Sequence, residues 1–168
     1  MRLPIFLFAL SAVLCGCGTS YSWRSSVPEG VRTVSVPTFR NESALAELGA
    51  VASRQILREF QREGTFAIRR AGDAALEVQG TVKSALANVG AYDRRTGMRL
   101  VGYDLSAEAE VSVIDKRAHK VLVDNRRYLA RTTFVGDQDR TTAMRDAAGR
   151  LMDDLARQVV DDVLNLKW

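Results

Sequence analysis

The stretch "ALEVQGTVKSALANVGAY" (Ala75–Tyr92) places Leu76, Val78, Gly80 and Val82 at every second position. Successive side chains of an extended chain point to opposite faces, so a period of two marks a strand with one buried face. The stretch therefore reads as one long strand. A polar turn, "DRRTG" (Asp93–Gly97), follows it, and the alternation resumes from Leu100 to Ile114 through Leu105, Ala107, Ala109, Val111 and Val113. A second polar turn, "DKRAHK" (Asp115–Lys120), leads into "VLVDNRRYLARTTF" (Val121–Phe134). Three consecutive strands joined by short polar turns predict an antiparallel meander.

On the N-terminal side of this meander, "VRTVSVPTF" (Val31–Phe39) alternates around Val34 and Val36, and Pro37 confines that end to a sheet edge or a strand end. "RNES" (Arg40–Ser43) supplies an N-cap candidate for a helix whose apolar residues Leu45, Leu48, Ala52, Ile56 and Phe60 recur in steps of three and four. Gly64 is the expected stop. A short strand, "FAIRR" (Phe66–Arg70), and a turn at "AGDA" precede the meander. The chain closes with a second helical stripe, Met144, Ala148, Leu151, Leu155, Val159 and Val163, with acids early and Lys167 at its end, as the helix dipole favours. The expected fold is α+β: two helices packed on one face of a four- to five-stranded mixed sheet, as a single domain over residues 31–168. A right-handed crossover would make the first two strands parallel, with the third returning. The Asp93–Gly97 turn would then lie where the chain enters the domain, beside the Arg131–Arg140 segment, and Lys116–Lys120 would lie at the opposite end.

The chain opens with "MRLPIFLFALSAVLCGCGTS". From Leu3 to Leu14 it is apolar and uncharged, but a bilayer-spanning helix needs about 20 such residues. One cation, Arg2, followed by an apolar run and small residues is the pattern of a secretory signal peptide. Both cysteines of the chain fall at its end, and two cysteines two positions apart are poor disulfide partners. "LCGC" (Leu14–Cys17) resembles the lipobox of bacterial lipoproteins, which implies lipidation of Cys17, removal of residues 1–16 together with Cys15, and a lipidated tether over residues 17–30. Tyr21 and Trp23 are the aromatics of that tether. Cleavage before Cys17 removes Arg2 and leaves 152 residues with net charge +3. That length suits one domain, and the mild charge is far below that of a dedicated nucleic-acid binder.

No catalytic class fits. His119 stands in a cationic turn with no partner for a triad or a metal, and the sequence implies no metal or cofactor beyond the covalent lipid. "GAYDRRTG" lacks the strand, Gly-rich turn and helix of a phosphate cradle. Asp153, Asp154, Asp161 and Asp162 recur opposite the apolar stripe and read as a solvated helix face.

A lipobox followed by "VRTVSVPTFRNES", an amphipathic helix ending before "GTFAIRR", then "DAALEVQGTV", long strands and a closing helix resembles the LPS-assembly lipoprotein family, LptE, of the type found outside the enteric bacteria. The resemblance implies a lipid-anchored protein on the periplasmic face of the outer membrane. It would plug a large LptD-like β-barrel translocon, help it assemble, and contact lipopolysaccharide during export. Lipoprotein activators of penicillin-binding proteins share "F-x-N" and an "AD-x-x-x-x-G" strand, which "TFRN" and "GDAALEVQG" meet loosely. Their reach across the periplasm is more than a short tether allows, since each residue spans at most about 3.6 Å. Guanidinium groups pair well with phosphate. Cationic turns are thus the candidate lipopolysaccharide contacts, and Arg94, Arg95 and Arg99 are preferred to Lys116, Arg117 and Lys120 because the expected topology puts the first turn at the lipid end.

Overall fold

The alternation from Leu76 to Val82 does produce a strand, and that strand is the centre of the sheet. In the computed structural model, which describes residues 27–93, 99–135 and 140–168, the elements are β1 (Thr33–Ser35), β2 (Arg40–Asn41), α1 (Leu48–Glu63), β3 (Ala67–Ile68), β4 (Leu76–Asp93), β5 (Arg99–Asp115), β6 (Lys120–Phe134) and α2 (Arg140–Leu164). The six-stranded sheet runs β3-β1-β4-β5-β6, with β2 also paired to β4. The meander β4-β5-β6 is antiparallel throughout, and both helices cover one face. The fold is α+β, as expected.

Phase within β4 is less simple than its sequence. Leu76, Val78 and Val82 are fully buried, but the register slips between Val82 and Ser84. The extra residue, Lys83, moves the inward set to odd positions, so Ala85 is buried while Leu86 is 59% exposed. A bulge of this kind reassigns every later side chain.

The expected return of the third strand is not met. β1 pairs in parallel with β3 on one side and with β4 on the other. Ile68 and Leu76 both align with Val34, from opposite sides. Between them the chain doubles back through a turn in which the Asp73 and Ala74 N–H groups donate to the Arg70 carbonyl, and it passes β1 before entering β4. With β1 interposed, no hairpin forms and β4 runs in the direction of β1. The β5–β6 turn therefore sits beside the first described residues: Arg117 donates to the Gly30 carbonyl, and the Lys116 N–H donates to the Ala75 carbonyl (2.8 Å). We call this the near end. The junction of Asp93 with Arg99 and the start of α2 form the far end, up to about 55 Å away at 3.3 Å per residue.

Both helical stripes pack as their spacing predicts. Leu48, Ala52, Ile56 and Phe60 of α1, and Ala148, Leu151, Leu155, Val159 and Val163 of α2, are buried in one core, with Leu45 and Met144 packed partly buried against it. Gly64 ends α1 in the left-handed region (φ 83°), its N–H bonded to the Phe60 carbonyl. The start of α1 differs from the expected cap. Asn41 Oδ1 accepts from the Ser43 N–H (3.1 Å) and hydroxyl (2.7 Å), and Asn41 Nδ2 donates to the Leu45 carbonyl (2.7 Å). "RNES" thereby builds a turn, and the helix begins only at Leu48. Phe39 fixes this entry: its ring occupies the space over Gly80 and its carbonyl the space beside Gly49, where a Cβ would collide in both cases. The buried Ser53 hydroxyl accepts from the Phe39 N–H (2.7 Å).

Among the described residues β6 pairs only with β5 and so forms an edge of the sheet. α2 lies against it. Asp162 Oδ2 accepts from Arg126 (2.7 Å) and from the Tyr128 hydroxyl (2.8 Å), and Gln158 Nε2 donates to the Leu129 carbonyl (3.1 Å).

Candidate functional site

The sheet outruns α1. Among the described residues nothing pairs with β4 on the β1 side beyond Val82, so the far part of the meander is a three-stranded ribbon with α2 lying on it. On the helix side of that ribbon, Val89 of β4, Tyr103 of β5 and Phe134 of β6 stand in one register row. The Tyr103 and Phe134 rings stack, with centroids 5.1 Å apart and planes 17° from parallel. Arg140, the first residue of α2, sets its guanidinium 4.5 Å from the Tyr103 centroid, a cation–π contact. Beside this stack lies a cavity of about 630 Å³ walled by Tyr103, Phe134, Val135 and Ala143, with Asp104, Thr133, Asp146 and Arg150 also lining it. The positive end of the α2 dipole points toward the same end of the molecule.

Of the sequence-predicted residues, Arg99 heads β5 opposite Asp93, four residues before Tyr103 and roughly 13 Å along the strand. Arg94, Arg95 and Cys17 lie outside the described residues. Arg99 and Arg140, the described ends of the two basic segments, do stand at one end, but it is the far end. Lys116, Arg117 and Lys120 are the ones beside the chain's entry to the domain, reversing the expected placement.

The near-end cations are largely engaged. Lys116 pairs with the buried Glu77 at 3.0 Å. Burial pushes the Glu77 carboxyl up, but hydrogen bonds from Gln79 and Lys116 and the Lys116 charge outweigh it and hold the group below the usual carboxylate range. His119 is an exposed turn residue with φ 51°. Among the described residues no cluster of His, Cys, Asp and Glu is arranged to hold a metal.

Sequence reasoning missed Tyr103, Phe134 and Arg140. The signal was present: Tyr103 continues the alternation that starts at Leu105, and Phe134 ends its strand in phase with Tyr128. Arg140 had the look of a polar connection. Asp162 was also misread as part of a solvated face. Burial alone would raise its pKa, yet the hydrogen bonds from Arg126 and Tyr128, with the Arg126 charge, keep its carboxyl below the usual range. Burial first, and then the bond to Asp162 and its charge, push the Tyr128 hydroxyl well up.

The sequence profile of LptE, lipopolysaccharide-assembly, matches residues 31–163. The chain belongs to the LptE family. LptE-type chains form a non-enzymatic assembly family, and the match spans every strand and nearly all of α2. Comparison with curated proteins finds no match. Among solved structures, the chain is similar to a hypothetical protein of Chlamydia trachomatis (15% identity, TM-score 0.54, covering 80% of this chain and 96% of that one). It is also similar to a minor lipoprotein of Acinetobacter baumannii (12%, 0.52, 80% and 94%). A Xanthomonas campestris protein shares the fold as well (11%, 0.53, 79% and 83%). Identities this low carry the fold alone; the LptE match carries the lipopolysaccharide-assembly class.

Proposed function

We propose that this LptE-family chain is an outer-membrane lipoprotein, anchored through Cys17 on the periplasmic face, that plugs an LptD-like lipopolysaccharide-export β-barrel and helps it assemble. Lipopolysaccharide is contacted at the far end, with Arg94, Arg95 and Arg99 meeting lipid A phosphates. The observation that supports this reading is the separation of the two ends. The described chain begins at the near end, while Arg99, Arg140 and the positive end of α2 gather at the other. A protein held in the inner leaflet by its start would thus present cations well away from that leaflet. The ribbon that carries them is slender, three strands about 4.8 Å apart with one helix on it, a cross-section suited to the lumen of a large barrel.

Purification of the natively lipidated protein from detergent-extracted envelopes tests this. A large outer-membrane β-barrel should accompany it; a peptidoglycan synthase in its place overturns the reading. Metabolic labelling with a fatty acid checks the anchor, since label should be lost in Cys17→Ser and kept in Cys15→Ser.

A further inference from the structure

We propose that the cavity beside Tyr103 and Phe134 receives an acyl chain of lipopolysaccharide, an inference that rests on the lipopolysaccharide reading above. Val135 is 65% exposed and Val89 49% exposed, and both stand where the sheet has outrun α1. Aliphatic surface left in water is stabilised by any hydrocarbon that covers it. The cavity, at about 630 Å³, falls within the roughly 300–1,000 Å³ of sites that enclose small ligands.

Charge decides which part of an amphiphile enters. Asp104, Asp146 and Arg150 all line the cavity, so its charged lining holds two carboxylates to one guanidinium and an anionic group gains little inside. Arg140 is spent on the Tyr103 ring. Phosphate belongs instead toward Arg99, roughly 13 Å further along β5, and hydrocarbon belongs between the rings and Ala143. The spacing orders the ligand with its head toward the tip and one chain toward α2.

Two variants test this in protein carrying Cys17→Ser, purified without detergent so that no chain of its own competes. Val135→Asp places a charge at an exposed position, and Ala143→Leu fills the cavity with a neutral group. Each is titrated by fluorescence with purified lipopolysaccharide and with the same material stripped of its acyl chains, with circular dichroism and melting temperature as folding controls. Both variants should weaken intact lipopolysaccharide about tenfold and leave the deacylated form unchanged. Replacing Arg94, Arg95 and Arg99 by glutamine should weaken both ligands alike. The proposal is overturned if the cavity variants leave intact lipopolysaccharide unaffected, or if they weaken both ligands equally. Loss of the barrel from envelope purifications with lipopolysaccharide affinity intact would make the cavity a protein contact, and overturns it as well. Failure of the unaltered cavity and arginines to bind either ligand would overturn the lipopolysaccharide reading itself.

Discussion

The two halves of the β4–β5–β6 meander are built from similar strands and serve opposite ends. In the near half, from Leu76 to Val82, β4 is flanked by β1, β2 and β5 and roofed by both helices. In the far half it has β5 alone, and Leu86, Val89, Leu129 and Val135 are among the exposed large apolar side chains. Both helices cover the near half and α2 continues over the far half, where more of the exposed large apolar side chains lie, Val121 being the one in the near half. A fold that needed only to be stable would have ended its strands at the roof.

Leu155→Ala should break the near half most severely. Leu155 is fully buried, and such truncations cost about 2–5 kcal/mol. A urea melt should show that loss, and a change below 1 kcal/mol would mean that α2 is not the roof. Gly80→Ala comes next. Its new methyl would collide with the Phe39 ring, and overpacking of this kind costs about 1–3 kcal/mol.

The Asp162 tie sharpens the comparison through pH. Because its carboxyl is held below the usual range, its contribution is present above the ordinary carboxylate pKa of about 3.9 and is lost as pH falls through the lower folded value. The urea midpoint should therefore drop on acidification below about pH 4, and Asp162→Asn should lower it at pH 7 while flattening that dependence. Glu77, depressed in the same direction, should leave a residual slope in the variant. An unchanged slope would mean that Asp162 does not tie α2 to β6.

The smallest effects belong to the far half. Leu129→Ser and Val135→Ser should each change stability by no more than about 0.5 kcal/mol, the usual range for exposed positions. Hydrogen exchange should show the same contrast without mutation: amides from Leu76 to Val82 exchanging near the global limit, those from Ala85 to Val89 through local opening. Equal protection in the two halves would dissolve the distinction.

Much of this was legible beforehand. Steps of three and four picked out both buried helix stripes, from Leu48 to Phe60 and from Ala148 to Val163, because a helix burying one face has no other way to space its apolar residues. The meander was legible for the corresponding reason. Three things were not. A one-residue bulge at Lys83 leaves no mark in an alternation that resumes in the opposite phase. Strand direction depends on what lies between partners, and nothing local in Arg69–Ala75 says that β1 intervenes. The far-end stack joins Tyr103 to Phe134 and to Arg140, 31 and 37 positions away, a proximity only the fold supplies. Arg94 and Arg95 were preferred because their turn was expected at the chain's entry, an expectation that fails with the direction of β4, and their own surroundings lie beyond the described residues.

The edge formed by β6 carries a last consequence. A long unpaired strand is a template on which another chain can add a strand of its own, and an envelope that assembles β-barrels offers many. This edge is spoiled at two points: Asn125 sits at φ 39° where the register with β5 slips, and the Leu129 carbonyl is already taken by Gln158. A strand from another chain therefore finds this edge interrupted at both places and cannot extend the sheet along it as one continuous hydrogen-bonded wall.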